Sequence, residues 1–168
     1  MASINTELEA DLASVYEEIM WLARRPNVTA SVARSWYTHA TSERLKKHVR
    51  MFTGKVSIQA IENSDAELRL EHYLRIQATL TQMVERHLES DLNDPRDFIN
   101  TVLECERVHI VTKPENYAAM RAKGDYSAAG IKLVDWANIP LEQREYLWNK
   151  MLKGKVANYT EFRNPGNS

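Results

Sequence analysis

RVHIVTKPENYAAMRAKGDYSAAGIKLVDW, running from Arg107 to Trp136, decides the fold class. It opens on RVHIVT, a compact β-branched run of the kind that fits a pleated, buried surface. TKPENYAAMRAKG follows as a capped helix, with Pro114 at or near the first helical position and Gly124 beyond its end. GIKLVDW then returns to strand character. Strand, helix and strand with so short a crossover predict a βαβ-like unit, right-handed if its strands are parallel neighbours. A closing helix is predicted in IPLEQREYLWNKMLKG.

Upstream the pattern is mostly helical. Thr6 and Glu9 make a capping box, and Arg24, Arg25 and Pro26 mark the far end of a first helix. Its apolar residues Leu8, Leu12, Val15, Ile19 and Leu22 step by four and three, a seam suited to a neighbouring helix of the same chain or of a second copy. TASVARSWYTHA and TSERLKKHVRMF read as two shorter helices, and GKVSIQAI alternates like a short strand. Ser64 and Glu67 form a second capping box ahead of DAELRLEHYLRIQATLTQMVERHLE, which predicts one helix of roughly 40 Å. Asp94 and Pro95 restart a helix in NDPRDFINTVLECE. The expected architecture is α+β: a predominantly helical single domain over 1–168, with a helical body at 1–105 and a small α/β portion at 106–168.

Two strings resemble each other, RMFTGKVS at 50–57 and KMLKGKVA at 150–157. A phosphate loop needs several glycines before its lysine, a hydroxyl after it and a helix starting there. Neither string has these. Both glycines are expected to stop a basic amphipathic helix in the left-handed position.

At 168 residues the chain can bury a core without metals or disulfides. The single cysteine, Cys105, cannot pair internally and reads as a small apolar residue. MASINTELEADL is acidic where a signal peptide would be basic and then apolar, and no apolar run reaches membrane-spanning length. A cytoplasmic location is the expectation.

Charge is segregated along the chain. Trp21 to Gln59 holds eight Lys or Arg against one acid, whereas Ala60 to Arg107 holds eleven acids against five bases. Arg44, Lys46, Lys47 and Arg50 crowd one short helix, with Trp36 and Tyr37 in the helix before it. Cations for phosphate beside rings for stacking make this band a candidate contact for nucleic acid or for an acidic protein. If RVHIVT and GIKLVDW are parallel neighbours, their ends bring Thr112, Lys113 and Asn116 near Asp135, Trp136 and Asn138, a crevice for a small anionic ligand. His109 reads as a strand histidine packed in the sheet. RSWYTH places Arg34 five positions before His39, a spacing that resembles the Arg-x4-His element of helical HEPN ribonucleases over six residues. No spacing points to a metal and no motif to a cofactor.

The sequence thus points to a non-enzymatic cytoplasmic binding or regulatory protein, self-associating through its first helix, whose basic band contacts nucleic acid or an acidic protein, with no membrane partner. The alternative is a small enzyme acting on a phosphorylated or nucleotide-like ligand at the strand-end crevice. A helical ribonuclease is the lesser enzyme reading.

Overall fold

The computed structural model describes residues 5–41 and 43–163, with the side chains of Glu43 and Arg44 outside that description. The fold is α+β and mostly helical, with one four-stranded mixed sheet. No helix among the described residues is long and apolar enough to cross a membrane. The chain divides into two compact units, Met1–His48 with Arg75–Cys105, and Val49–Leu74 with Glu106–Ser168.

The first unit contains α1 (Thr6–Ala23), α2 (Ala30–Ala40), most of α3 (Glu43–Val49), α5 (Ile76–Glu89) and α6 (Pro95–Cys105). Asn5, not Thr6, caps α1: its side chain accepts from the Glu7 amide at 3.1 Å, and Thr6 is already helical. Leu12, Val15 and Ile19 of the predicted seam are buried, and Leu8 and Leu22 are half-buried. They are covered within this unit, where α1 packs on α2 and α6 while α5 packs on the same two helices. Tyr16, wholly buried, touches Phe98 ring to ring at 5.5 Å. Its hydroxyl lies 2.7 Å from Nδ1 of the buried His87 and accepts from the Asp94 amide at 3.1 Å. Nε2 of His87 reaches the Asp97 carboxylate at 2.7 Å, so every polar atom of this buried pair has a partner. Burial would raise the Asp97 pKa, but hydrogen bonds from His87 and Arg86 outweigh it and hold the carboxyl below its usual range. Cys105 is fully buried, in keeping with a small apolar residue.

The second unit is built on the sheet, in strand order β2-β3-β1-β4. Its strands are β1 (Met51–Ser57), β2 (Leu68–His72), β3 (Arg107–Thr112) and β4 (Leu133–Asp135), and its helices are α4 (Ile58–Glu62), α7 (Lys113–Arg121) and α8 (Leu141–Leu147). A π-helical turn, Trp148–Leu152, extends α8, and 3-10 turns lie at Trp136–Asn138 and Tyr159–Phe162. The pairing is parallel for β1 with β3, and antiparallel for β2 with β3 and for β4 with β1. Phe52, Val56, Val108 and Ile110 meet Trp136, Ile139, Leu147, Met151 and Leu152 in one apolar core.

Four expectations change here. β3 and β4 are not neighbours, so the strand-helix-strand segment is no βαβ unit; β1, far upstream in sequence, lies between them. The predicted long helix is instead β2, a short link and α5, because β3 needs a partner for its outer edge and β2 supplies one from Leu68↔Thr112 to His72↔Val108. Ser64 and Glu67 therefore precede a strand and cap nothing. Gly54 stops no helix either. It lies inside β1 at φ 82°, where Phe52 to Val56 advances four residues while Val108 to Ile110 advances two, a bulge that needs a left-handed residue. Gly154 does follow a helical turn, at φ 71°.

Candidate functional site

The residues of the predicted basic band differ in their surroundings. Tyr37 is buried at 3 % exposure with its ring edge-on to Phe98, so it cannot stack on a base. Trp36 is 38 % exposed, and its indole N–H donates to Glu18 at 2.5 Å. Arg50 precedes β1 and turns inward, its Nε 3.8 Å from the buried carboxylate of Glu106, which also holds His72 at 2.8 Å. Lys46 is half-buried and Lys47 exposed; the side chain of Arg44 lies outside the described residues. Arg34 donates to Thr81 at 3.3 Å while His39 is exposed, and five helical residues turn them about 140° apart. They do not converge on one site.

The predicted crevice is split by the antiparallel run of β4. Asp135 stands opposite Lys55 and pairs with its ammonium, whereas Thr112 lies beyond Ile110, the partner of Val56. Trp136 is a core residue and Asn138 is exposed in the following 3-10 turn. Thr112 is the buried N-cap of α7, in a reciprocal box with Glu115 that also ties in Ser57 at 2.6 Å. Asn116 is half-buried on α7, and Lys113 bonds Glu67 at 2.9 Å. The Lys113 half does border an open cleft of about 550 Å³, lined by Asn63, Ala66, Glu67, Pro114, Tyr117 and Arg121 beside Thr112 and Lys113.

Two arrangements come from tertiary structure. On the sheet face opposite the core, the β1 bulge aims Thr53 Oγ1 at His109 Nδ1, 2.6 Å away, with Tyr73 and Tyr126 against the imidazole and Glu71 opposite it across the strands. Tyr126 donates to Glu71. Burial, with a smaller contribution from the Lys55 charge, lowers the His109 pKa to about 4. At neutral pH this is an uncharged, hydrogen-bonded imidazole at 7 % exposure, a packed sheet histidine as its strand position implied.

The other arrangement is on the surface. The end of α8, the π-helical turn after it and the chain beyond carry Tyr146, Trp148, Tyr159 and three lysines. Lys150 Nζ lies 5.2 Å from the Tyr146 ring centre and donates to its hydroxyl at 2.8 Å. Lys153 Nζ and the Arg163 guanidinium stand 5.7 and 5.9 Å from the Trp148 ring. The Trp148 N–H donates to the Tyr159 carbonyl at 2.7 Å, and Lys155 Nζ to the Lys150 carbonyl at the same distance. No ion pair involves Lys150, Lys153 or Lys155 among the described residues. The lysines of KMLKGKVA were visible in sequence; the rings beside them were not, since Trp148 and Tyr159 meet only after the π turn bends the chain.

Comparison with family models, with curated proteins and with solved structures finds no match.

Proposed function

We propose that this is a non-enzymatic binding protein that engages single-stranded nucleic acid through the basic–aromatic surface of its second unit. One observation carries the reading: Lys150 sits at the hydroxyl edge of Tyr146 and Lys153 beside the Trp148 ring, and with Lys155 they lack a carboxylate partner among the described residues. A cation beside an exposed ring gains only about 0.5–1 kcal/mol, so a phosphate can draw it away at small cost. The ring offers a π-face to a base, and stacking of this kind is worth about 1–3 kcal/mol per base. Such a surface tolerates any sequence, because every base has a π-face and every nucleotide a phosphate. Tyr146, at 45 % exposure, is the accessible ring, and Trp148 is half-buried and held by its bond to Tyr159.

The test is a titration with oligonucleotides of increasing length at low salt. Affinity should grow with length until the surface is spanned, and Tyr146→Ala should weaken binding by about 1 kcal/mol or more through lost stacking. Absence of binding at every length would end the proposal. Binding only to acidic polypeptides would transfer the surface to a protein partner.

A further inference from the structure

The cleft beside α7 shares no residue with the basic–aromatic surface and rests on a separate observation. Its walls are the loop between α4 and β2, at residues 63–67, and one face of α7, where Lys113, Tyr117 and Arg121 recur every four residues. At about 550 Å³ it has the size of a small-molecule site. Glu67 is occupied: hydrogen bonds from Lys113 and then Arg69 hold its carboxyl below the usual range, so it positions Lys113 at the rim. The amides at the N-terminus of α7 are taken by the Thr112–Glu115 box and are not the attraction. What remains is an aromatic ring left 48 % exposed, the proline ring of Pro114, the amide of Asn63, and Arg121, an exposed cation one helical turn past Tyr117 with no ion pair among the described residues.

We infer that this cleft binds a small ligand carrying one flat ring and one phosphate, the chemistry of a nucleoside monophosphate. The ring lies on Tyr117 and Pro114 while the phosphate reaches Arg121, with Lys113 flanking. A ring alone would leave the guanidinium unanswered, and a phosphate alone would leave the apolar wall wet. The two contacts therefore reinforce each other only when one molecule carries both groups.

Titration calorimetry with adenosine monophosphate, adenosine and inorganic phosphate tests this. The monophosphate should bind saturably, and each of the other two about tenfold or more weakly, roughly one salt-bridge or stacking contact. Arg121→Ala should erase the preference of the monophosphate over adenosine. Tyr117→Ala should weaken the monophosphate about tenfold. Both side chains are exposed, so both variants should melt as the parent does. Lys153→Ala should leave monophosphate binding intact; a loss there would place the nucleotide on the basic–aromatic surface and overturn the cleft assignment. The inference also fails if the monophosphate does not saturate, if phosphate alone binds as tightly, or if neither Arg121→Ala nor Tyr117→Ala changes binding.

Discussion

A methyl group at Gly54 would come within 3.3 Å of the Phe162 ring, whereas at Gly154 it would meet nothing within 4 Å. Both residues hold positive φ, so each alanine variant carries the left-handed penalty of about 1–2 kcal/mol. Only Gly54→Ala must also displace an aromatic ring that packs on Phe52 and Trp136. Urea denaturation should therefore rank Gly54→Ala as the more destabilised, by about 1 kcal/mol beyond Gly154→Ala. Equal losses would mean the bulge is not locked against Phe162. His109 makes a pH-dependent contribution. An unfolded imidazole takes its proton near pH 6.5, while in the folded protein His109 resists protonation down to about 4. Between those values the unfolded chain binds more protons. Stability present in full above about pH 6.5 is therefore lost as pH falls toward 4, by about 3 kcal/mol in total. Chemical denaturation across that window should show the loss, and His109→Gln should show a shallower slope there. An unchanged slope would remove His109 as its source.

Among the elements, legibility followed locality. RVHIVT was readable because β3 is buried along nearly its whole length, and burial on both faces selects an unbroken β-branched run. The helix from Thr112 was readable from its own cap and proline. LRLEH was not, since its residues suit a helix as well as a strand, and Ser64 and Glu67 imitate a capping box; pairing with β3 decides the matter, a contact no local pattern encodes. β1 was legible only in its second half: GKVS of the predicted strand is in it, but IQAI is α4, and the bulge at Gly54 breaks the alternation that would have brought in MFT. The crevice fails for the same reason at one remove: strands next in sequence need not be neighbours, and here β1 lies between β3 and β4 and pairs antiparallel with β4. The division after residue 105 consequently misses β1 and β2, which supply half of the sheet. A fragment of residues 106–168 would leave β3 without β1 and β2 and β4 without β1, exposing Val108 and Ile110. It should show no cooperative thermal transition and little dispersion of its amide resonances. A cooperative transition in that fragment would contradict the sheet order.

Over the whole molecule the charge is close to balanced, a formal −1, so no general field draws a polyanion to this protein. Attraction must be local, within a Debye length of about 8 Å at physiological salt. From Trp148 to Thr160 the chain holds three lysines and no acid; Lys150 lies against Tyr146, Lys153 against Trp148, and Lys155 holds the Lys150 carbonyl. Lysines beside aromatic rings, with no acid among them, carry the functional proposal. Asn158 steadies the segment by bonding both the amide and the carbonyl of Phe52 at 2.9 Å, so removing the lysine charges should leave the fold in place. The most direct measurement is the salt dependence of binding to a single-stranded oligonucleotide, for the parent and for the combined Lys150→Ala, Lys153→Ala and Lys155→Ala variant. Each phosphate neutralised contributes about 0.7 to the slope of log affinity against log salt, so the variant should lose about two units of slope while keeping the parental melting temperature. A variant that folds normally and keeps the parental slope would contradict the proposal that this surface meets the phosphates.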